Sequence, residues 1–363
     1  MKTPFGIMQP VDQEIAATIK KILIIQTAFP GDVILTTPLV QATRIQFPAA
    51  QIDFLTTPLC ANLLETHPDI HEVVVFDKRR QQRGLIKLIQ FSRKILNNKN
   101  YDLALIPHRS FRSAALAWLA HIPRRIGFNR SAAAFLLTQK IKYRPDIHEL
   151  ERNIDLLGDS INWPHKFSPR IYPDQPDQAI IDNYFKNNRI NPSEIQLAIA
   201  PGSVWETKKW LKQSYAELCD LFAQEFQCPI FLIGGPADWA LCDWIARNSR
   251  ARTFNTAGAF TFRQSAELIS RCQVLICNDS APLHLGVAVA TPVCAIFGPT
   301  VPAFGFYPYG EIHTVIEKAV YCRPCSIHGG HKCPTGTFLC MKSILPTDVF
   351  AVAKKKLTSI PAE

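Results

Sequence analysis

The stretch KILIIQTAFPGDVILTTPLVQATRIQF, residues 21–47, decides the fold. Its opening run, Lys21 to Thr27, is short, β-branched and apolar on both faces, as a parallel strand covered by helices on each side should be. Pro30 and Gly31 make a tight turn, and from Val33 onward the apolar positions recur at helical spacing. One βα unit is written here. Outward from it, IDFLTT (52–57), EVVVFD (72–77) and YDLALIPH (101–108) repeat the strand character, alternating with helical patterns around 59–66, 84–98 and 111–121. That alternation predicts a parallel sheet wound on both faces. A polar, proline-rich region at 144–176 interrupts it, with 168–176 reading as a linker. The cycle then restarts: helix 177–188, strand IQLAIAPG (195–202), helix 213–226, strand PIFLIGG (229–235), helices 237–248 and 261–271, strand VLICND (274–279), helix 281–290 and strand PVCAIFG (292–298). A last helical stretch, 346–357, ends in Lys354-Lys355-Lys356, which suits the helix dipole. Two doubly wound α/β halves are expected, with ligands beyond the strand C-termini and the active site in a cleft between them.

The 363 residues suffice for about two such domains at ~150 residues each. Apolar residues make up 47% and charged residues 19%, the balance of a folded globular chain and not of a disordered one. No apolar run approaches the roughly 18 residues of a spanning helix, and Asp12 and Glu14 interrupt what would be a signal peptide. A cytoplasmic protein is expected. The net charge of +10 is uneven: residues 1–175 hold 23 Lys and Arg against 15 Asp and Glu, residues 176–363 hold 17 against 15. The basic first half favours an anionic partner, whether nucleic acid, an anionic membrane surface or a phosphorylated substrate.

Candidate site residues cluster where strands run into helices. Asp32 follows the first strand's turn; it reads either as a helix cap or as a general base for a substrate hydroxyl. In APGSVWETKKW, residues 200–210, the amides near Gly202, the Ser203 hydroxyl and the ammonium of Lys208 or Lys209 are diphosphate-type donors, although no P-loop and no GxGxxG fingerprint is present. In ICNDSAPLHLGVA, residues 276–288, a strand meets a helix with Pro282 in its first turn, a junction that offers free N–H groups to an anion. Asp279 there caps the helix or holds Lys208, and His284 faces ligand or packs. Asp238, in GGPAD, contacts a sugar hydroxyl or caps. A helix N-terminus plus a lysine can neutralise a departing diphosphate without Mg²⁺, in keeping with the lack of an acidic pair at metal-ligand spacing.

The segments GDVILTTPLVQATR (31–44), APGS with KKW, GGPAD, NDSAPLH (278–284) and FGPT (297–300) together resemble the ADP-heptose:lipopolysaccharide heptosyltransferases, glycosyltransferase family 9, from about residue 20 to 357. The resemblance is strongest to the heptosyltransferase II branch. It implies a GT-B fold with an acceptor-binding domain over 1–172, a nucleotide-sugar domain over 173–345 and a final helix, 346–363, crossing back to the first domain. It implies Asp32 as catalytic base for inverting transfer and Lys208 as the phosphate contact. It further implies Ser203, Asp238, Asp279, Ser280 and His284 around ADP-heptose, with no metal needed for catalysis. Where the family commonly has Asp-Ser-Gly-Pro, Asp279-Ser280-Ala281-Pro282 adds a methyl near the diphosphate. Arg109, Arg112 and Arg130, with Lys78, Arg79, Arg80, Arg83, Arg124 and Arg125, then read as holding a phosphorylated Kdo-lipid A core acceptor, the enzyme sitting peripherally on the anionic inner membrane.

Seven cysteines lie in apolar segments and read as buried thiols. Cys322, Cys325, Cys333 and Cys340 are close enough in sequence to hold a structural zinc or to remain free thiols. Other readings are a same-fold transferase or an epimerase using a different nucleotide sugar, and a basic nucleic-acid module. The last lacks an interleaved stacking-aromatic motif and a C-x2-C…H-x3-H finger, so no specific nucleic acid is expected.

Overall fold

The computed structural model describes residues 18–158 and 166–358. The chain divides into two compact units, Met1–Pro169 and Arg170–Glu363, the break falling near the start of the 168–176 stretch. In the first unit β1 (Lys21–Ile25), β2 (Gln51–Thr56), β3 (Glu72–Val75), β4 (Leu103–Ile106), β5 (Arg124–Phe128) and β6 (Gln139–Ile141) form one parallel sheet, order β3-β2-β1-β4-β5-β6. Its helices are α1 (Pro30–Ile34), α2 (Thr37–Gln46), α3 (Pro58–Ala61), α4 (Leu85–Phe91), α5 (Phe111–Leu119) and α6 (Glu149–Ile154).

The second unit repeats the plan. Strands β7 (Leu197–Ala200), β8 (Ile230–Leu232), β9 (Thr253–Asn255), β10 (Val274–Asn278), β11 (Val293–Phe297) and β12 (Thr314–Glu317) pair in parallel as β12-β11-β10-β7-β8-β9, the same order counted from its own first strand. Its helices are α7 (Gln175–Asn187), α8 (Lys212–Phe226), α9 (Trp239–Arg247), α10 (Phe262–Ser270), α11 (Ala281–Ala288), α12 (Leu339–Lys342) and α13 (Pro346–Thr358). In each sheet the order reverses beside the first strand, between β1 and β4 and between β7 and β10, so neighbouring connections leave in opposite directions and open a crevice at the strand ends.

Every residue of β4, β7, β10 and β11 is buried, as strands covered on both faces require. Leu197, Ile199, Ile230 and Ile276 pack with Tyr215, Leu218 and Phe222 of α8 and Ile245 of α9. On the other face Phe185 of α7 stacks on Phe231, ring centroids 5.5 Å apart. Gly286 of α11 lies there too, where a Cβ would come within 2.7 Å of Leu275 and 2.9 Å of Val293. These are the two layers of helix that the alternating pattern predicts.

Two differences from expectation have physical causes. The helical pattern after Val33 is split into α1 and α2, because Pro38 brings no N–H and its ring excludes the carbonyl of residue 34; the Thr37 hydroxyl takes that carbonyl instead, at 2.8 Å. The strands β5, β6, β9 and β12 lie in segments that carry no continuous apolar run. The final helix packs on the second unit: Val349, Ala353 and Leu357 enter the α8 core, Phe350 meets Phe222 at 5.0 Å, and Lys354 pairs with Glu225 at 2.7 Å.

Candidate active site

In the second unit the reversal point collects the polar ends of β7 and β10. Asn278 is fully buried at the end of β10; its carbonyl oxygen accepts from Trp210 N–H at 3.1 Å and Tyr215 OH at 3.0 Å, and its amide donates to Pro201 O at 2.8 Å. That network fixes the β7 loop against β10 and brings Lys208 Nζ to 2.6 Å from Asp279 Oδ2, the two side chains only 12% and 8% exposed. Thr300 Oγ1 donates to the same carboxylate oxygen at 2.6 Å. Asp279 therefore holds Lys208 and does not cap α11. Ser280 precedes α11 with an extended backbone and no side-chain cap, its hydroxyl donating to Asn278 O at 3.4 Å, so the helix start carries no side-chain acceptor of its own.

The remaining expected donor residues divide. Ser203 flanks this corner, and its Oγ accepts from Trp205 N–H at 3.3 Å. Asp238 takes the capping role: its Oδ2 accepts from Gly235 N–H at 2.9 Å. Its carboxylate also fills the space above Gly202 and Gly234, where a Cβ would fall within 2.2 Å of Oδ1 and 2.6 Å of Asp238 Cβ respectively, so both turns need glycine. His284 is buried in α11, 6% exposed.

The first unit's reversal point is cationic, with Asp32 and buried Glu149 close enough to act on each other. Asp32 lies in the first turn of α1, its Oδ2 accepting from Phe29 N–H at 3.1 Å, and it stays partly exposed. Lys78, after β3, reaches back to donate to Thr27 O at 2.6 Å. Burial, then Arg79 and Arg112, lower the Lys78 pKa, while Cys60 and Asp32 oppose the fall. His108 closes the end of β4, its Nδ1 3.0 Å from Thr27 Oγ1 and 2.9 Å from Ser113 Oγ. Burial, helped by Lys78 and Arg109, lowers its pKa to about 4, so the ring is neutral at pH 7. Arg109 and Arg130 both stack on Tyr143, at 4.3 and 5.6 Å from the ring centroid, and Arg152, also over that ring, pairs with buried Glu149 at 2.7 Å.

Arg109, Arg112 and Arg130 thus follow the C-terminal ends of β4 and β5, on the Asp32 side of the sheet. Arg124 and Arg125 do not join them, because they begin β5 at the opposite edge, and the Arg125 guanidinium is spent on the carbonyls of Leu136 and Ile122. Thr27 and His108 were not singled out from the sequence. The only signal was their place at strand ends, which becomes informative once the strand order is known.

The model of glycosyltransferase family 9 (heptosyltransferase) matches residues 90–331, more than half of the chain. The chain belongs to glycosyltransferase family 9. It is 26% identical over 298 residues to lipooligosaccharide heptosyltransferase 2 of Haemophilus ducreyi, covering 78% of this chain and 85% of that one. Lipopolysaccharide heptosyltransferase 2 of Salmonella typhimurium is also 26% identical, with 78% and 84% covered. Among solved structures, the family 9 glycosyltransferase of Veillonella parvula superposes with a TM-score of 0.82 at 23% identity, covering 93% of this chain and 97% of that one. E. coli ADP-heptose LPS heptosyltransferase II gives 0.79 at 23% identity, covering 94% and 100%. The fold is therefore GT-B, and the protein is a glycosyltransferase.

The four late cysteines gather in one place: Cys322 and Cys333 lie close enough to act electrostatically on Cys325, and all three act on Cys340. A tetrahedral thiolate site needs sulfurs about 4 Å apart. Among the described residues, the group of three or more possible ligand atoms all within 4.8 Å of one another is Asp53, His71 and Glu72. Cys325 Sγ donates to Cys322 O at 3.3 Å, Cys333 Sγ lies 3.4 Å from Thr335 Oγ1, and Cys340 is buried beside the α8 core. The Asp53 group is internally satisfied, since Tyr101 OH donates to Asp53 at 2.7 Å and Lys99 pairs with Glu72.

Proposed function

We propose that this glycosyltransferase moves a heptosyl group from ADP-heptose to the inner core of lipopolysaccharide, directly and with inversion, without a divalent metal. The observation that carries the reading is the Lys208–Asp279 pair set beside the side-chain-free start of α11, at the strand ends where an α/β sheet takes its ligand. Asp32 accepts the proton of the acceptor hydroxyl. The oxygen then forms its bond to the anomeric carbon as the bond from that carbon to the diphosphate oxygen breaks, and ADP leaves with the electron pair. Lys208 and the α11 amides stabilise the negative charge that builds on the diphosphate, the task a divalent ion would otherwise perform. Ser203, Ser280 and His284 line the donor, and the Asp238 carboxylate stays with its glycine turns. Arg109, Arg112 and Arg130, with Lys78, hold the phosphates and carboxylates of the Kdo-lipid A acceptor. Peripheral attachment to the cytoplasmic face of the inner membrane accords with the basic first half; among the described residues no helix is long and apolar enough to cross a membrane.

Incubation with ADP-heptose and a Kdo-lipid A-type core acceptor in excess EDTA should release ADP in step with heptosylated product. ADP formed only after Mg²⁺ is restored removes the metal-independent mechanism, and product formed faster from another nucleotide sugar reassigns the donor.

A further inference from the structure

The segment between Arg323 and Gly330 bears two of the late cysteines' neighbourhoods, and the reaction above gives it no task. Its backbone is nonetheless fastened on both sides of the Lys208–Asp279 pair. On the lysine side, the N–H and Oγ1 of Thr207 both donate to Gly330 O, at 3.0 and 3.1 Å, and Gly330 N–H donates to Thr207 Oγ1 at 2.8 Å. Next to it Gly329 has φ +82°, and a Cβ there would lie 3.0 Å from Lys208 Cγ and 3.2 Å from Thr207 Oγ1, so the segment runs directly over the lysine stem. On the aspartate side, Cys325 N–H donates to Pro299 O at 2.9 Å and Arg323 donates to Thr300 O at 2.6 Å. Thr300 is the residue whose hydroxyl donates to Asp279.

We propose that residues 323–330 form a strap that confines the Lys208–Asp279 pair and so aims Lys208 at the donor's diphosphate, with Thr207, Gly329 and Arg323 as positioning residues. The proposal rests on the reading of that pair as the diphosphate site. The physical reason is the lysine's length. A side chain with four rotatable bonds loses much of its effect on a ligand unless its stem is confined, and sites work when their first contacts are held by neighbours locked in turn. Thr207 confines the lysine through its own backbone, Gly329 confines the stem from above, and Arg323 fixes the carbonyl behind Asp279.

Titration calorimetry of the full chain with ADP tests this without any acceptor. Thr207→Val, which keeps the shape and loses the hydroxyl, and Gly329→Ala, which presses on the stem, should each weaken ADP binding tenfold or more. Thr207→Ser should bind within about threefold of the unaltered chain, and the unliganded melting temperatures should agree within a few degrees. In turnover the donor KM should rise while the acceptor KM holds. Thr207→Val that binds ADP as the unaltered chain does overturns the strap alone. An unaltered chain that does not bind ADP overturns the diphosphate reading, and the strap with it. Hydrogen exchange on the unaltered chain needs no variant: ADP should slow exchange at the amides of Thr207 and Gly330, and unchanged rates overturn the proposal.

Discussion

Lys208 and Asp279 bury both of their charges against each other, so removing either leaves the other stranded in a poor dielectric. Lys208→Met should cut kcat/KM by roughly 10²–10³ and also destabilise the fold. Lys208→Met with Asp279→Asn should recover most of the stability, by urea denaturation, and none of the activity. Recovery of turnover in the double variant would show that the pair serves the fold alone. Asp32→Asn keeps the hydrogen bond from Phe29 N–H and loses the proton acceptor, so transfer should fall by about 10²–10⁴ with little change in melting temperature. ADP release by that variant at the rate of the unaltered chain would end the general-base assignment. The sequence marked Asp32, Lys208 and Asp279 because each follows an apolar strand at a turn, a local pattern. It left the roles of Asp238 and of the late cysteines open, because capping, ligation and metal binding use the same residue types. What decided Asp238 was the pair of glycines folded beneath its carboxylate, which spacing cannot reveal.

At the scale of elements, α11 lies so close to β10 and β11 that its middle residue must be glycine. Gly286→Ala gains about 1 kcal/mol of helix propensity yet forces a methyl against Leu275 and Val293, overpacking that costs about 1–3 kcal/mol. The net should be a lower melting temperature and weaker ADP binding together, since the start of the same helix is the proposed contact for the diphosphate. A more stable variant with unchanged affinity would mean that the helix can slide without consequence. The strands legible in the sequence are β1, β2, β3, β4, β7, β8, β10 and β11, most of them buried along nearly their whole length with apolar runs to match. The strands β5, β9 and β12 begin or end with part-buried or exposed residues, and β6 shows none fully buried. Their hydrophobic signal is weak, and their places come from pairing with a neighbour. The packing partner of α13 was illegible for a related reason, because a stripe of apolar residues states that a helix is covered and not by what.

For the whole molecule, three histidines set a limit in acid. Burial, as the largest cause, lowers the pKa of His67, His108 and His313 to about 4 each, and the Nδ1 atoms of His67 and His313 accept from backbone N–H groups of Asp69 and Val293 at 3.2 Å, so the native state needs them neutral. Unfolded histidine titrates near 6.5. Between pH 6.5 and 4 the unfolded chain therefore binds protons the native one refuses, and stability falls as pH falls, by up to about 1.4 kcal/mol per pH unit for each ring. Urea midpoints should drop between pH 7 and 5, and a flat profile there would contradict the three neutral rings. The cysteines offer a different consequence. Cys60, Cys219, Cys228, Cys242, Cys272, Cys277 and Cys294 are buried, and burial pushes their thiols up, to about 11 for Cys228 and about 12 for Cys242 and Cys294. Of these, six belong to the second unit, so that unit carries its own stopwatch. A colorimetric thiol reagent added to the native enzyme should label Cys322, Cys325 and Cys333 in an early burst, and every later increment of colour should count excursions in which a Rossmann-like half comes apart.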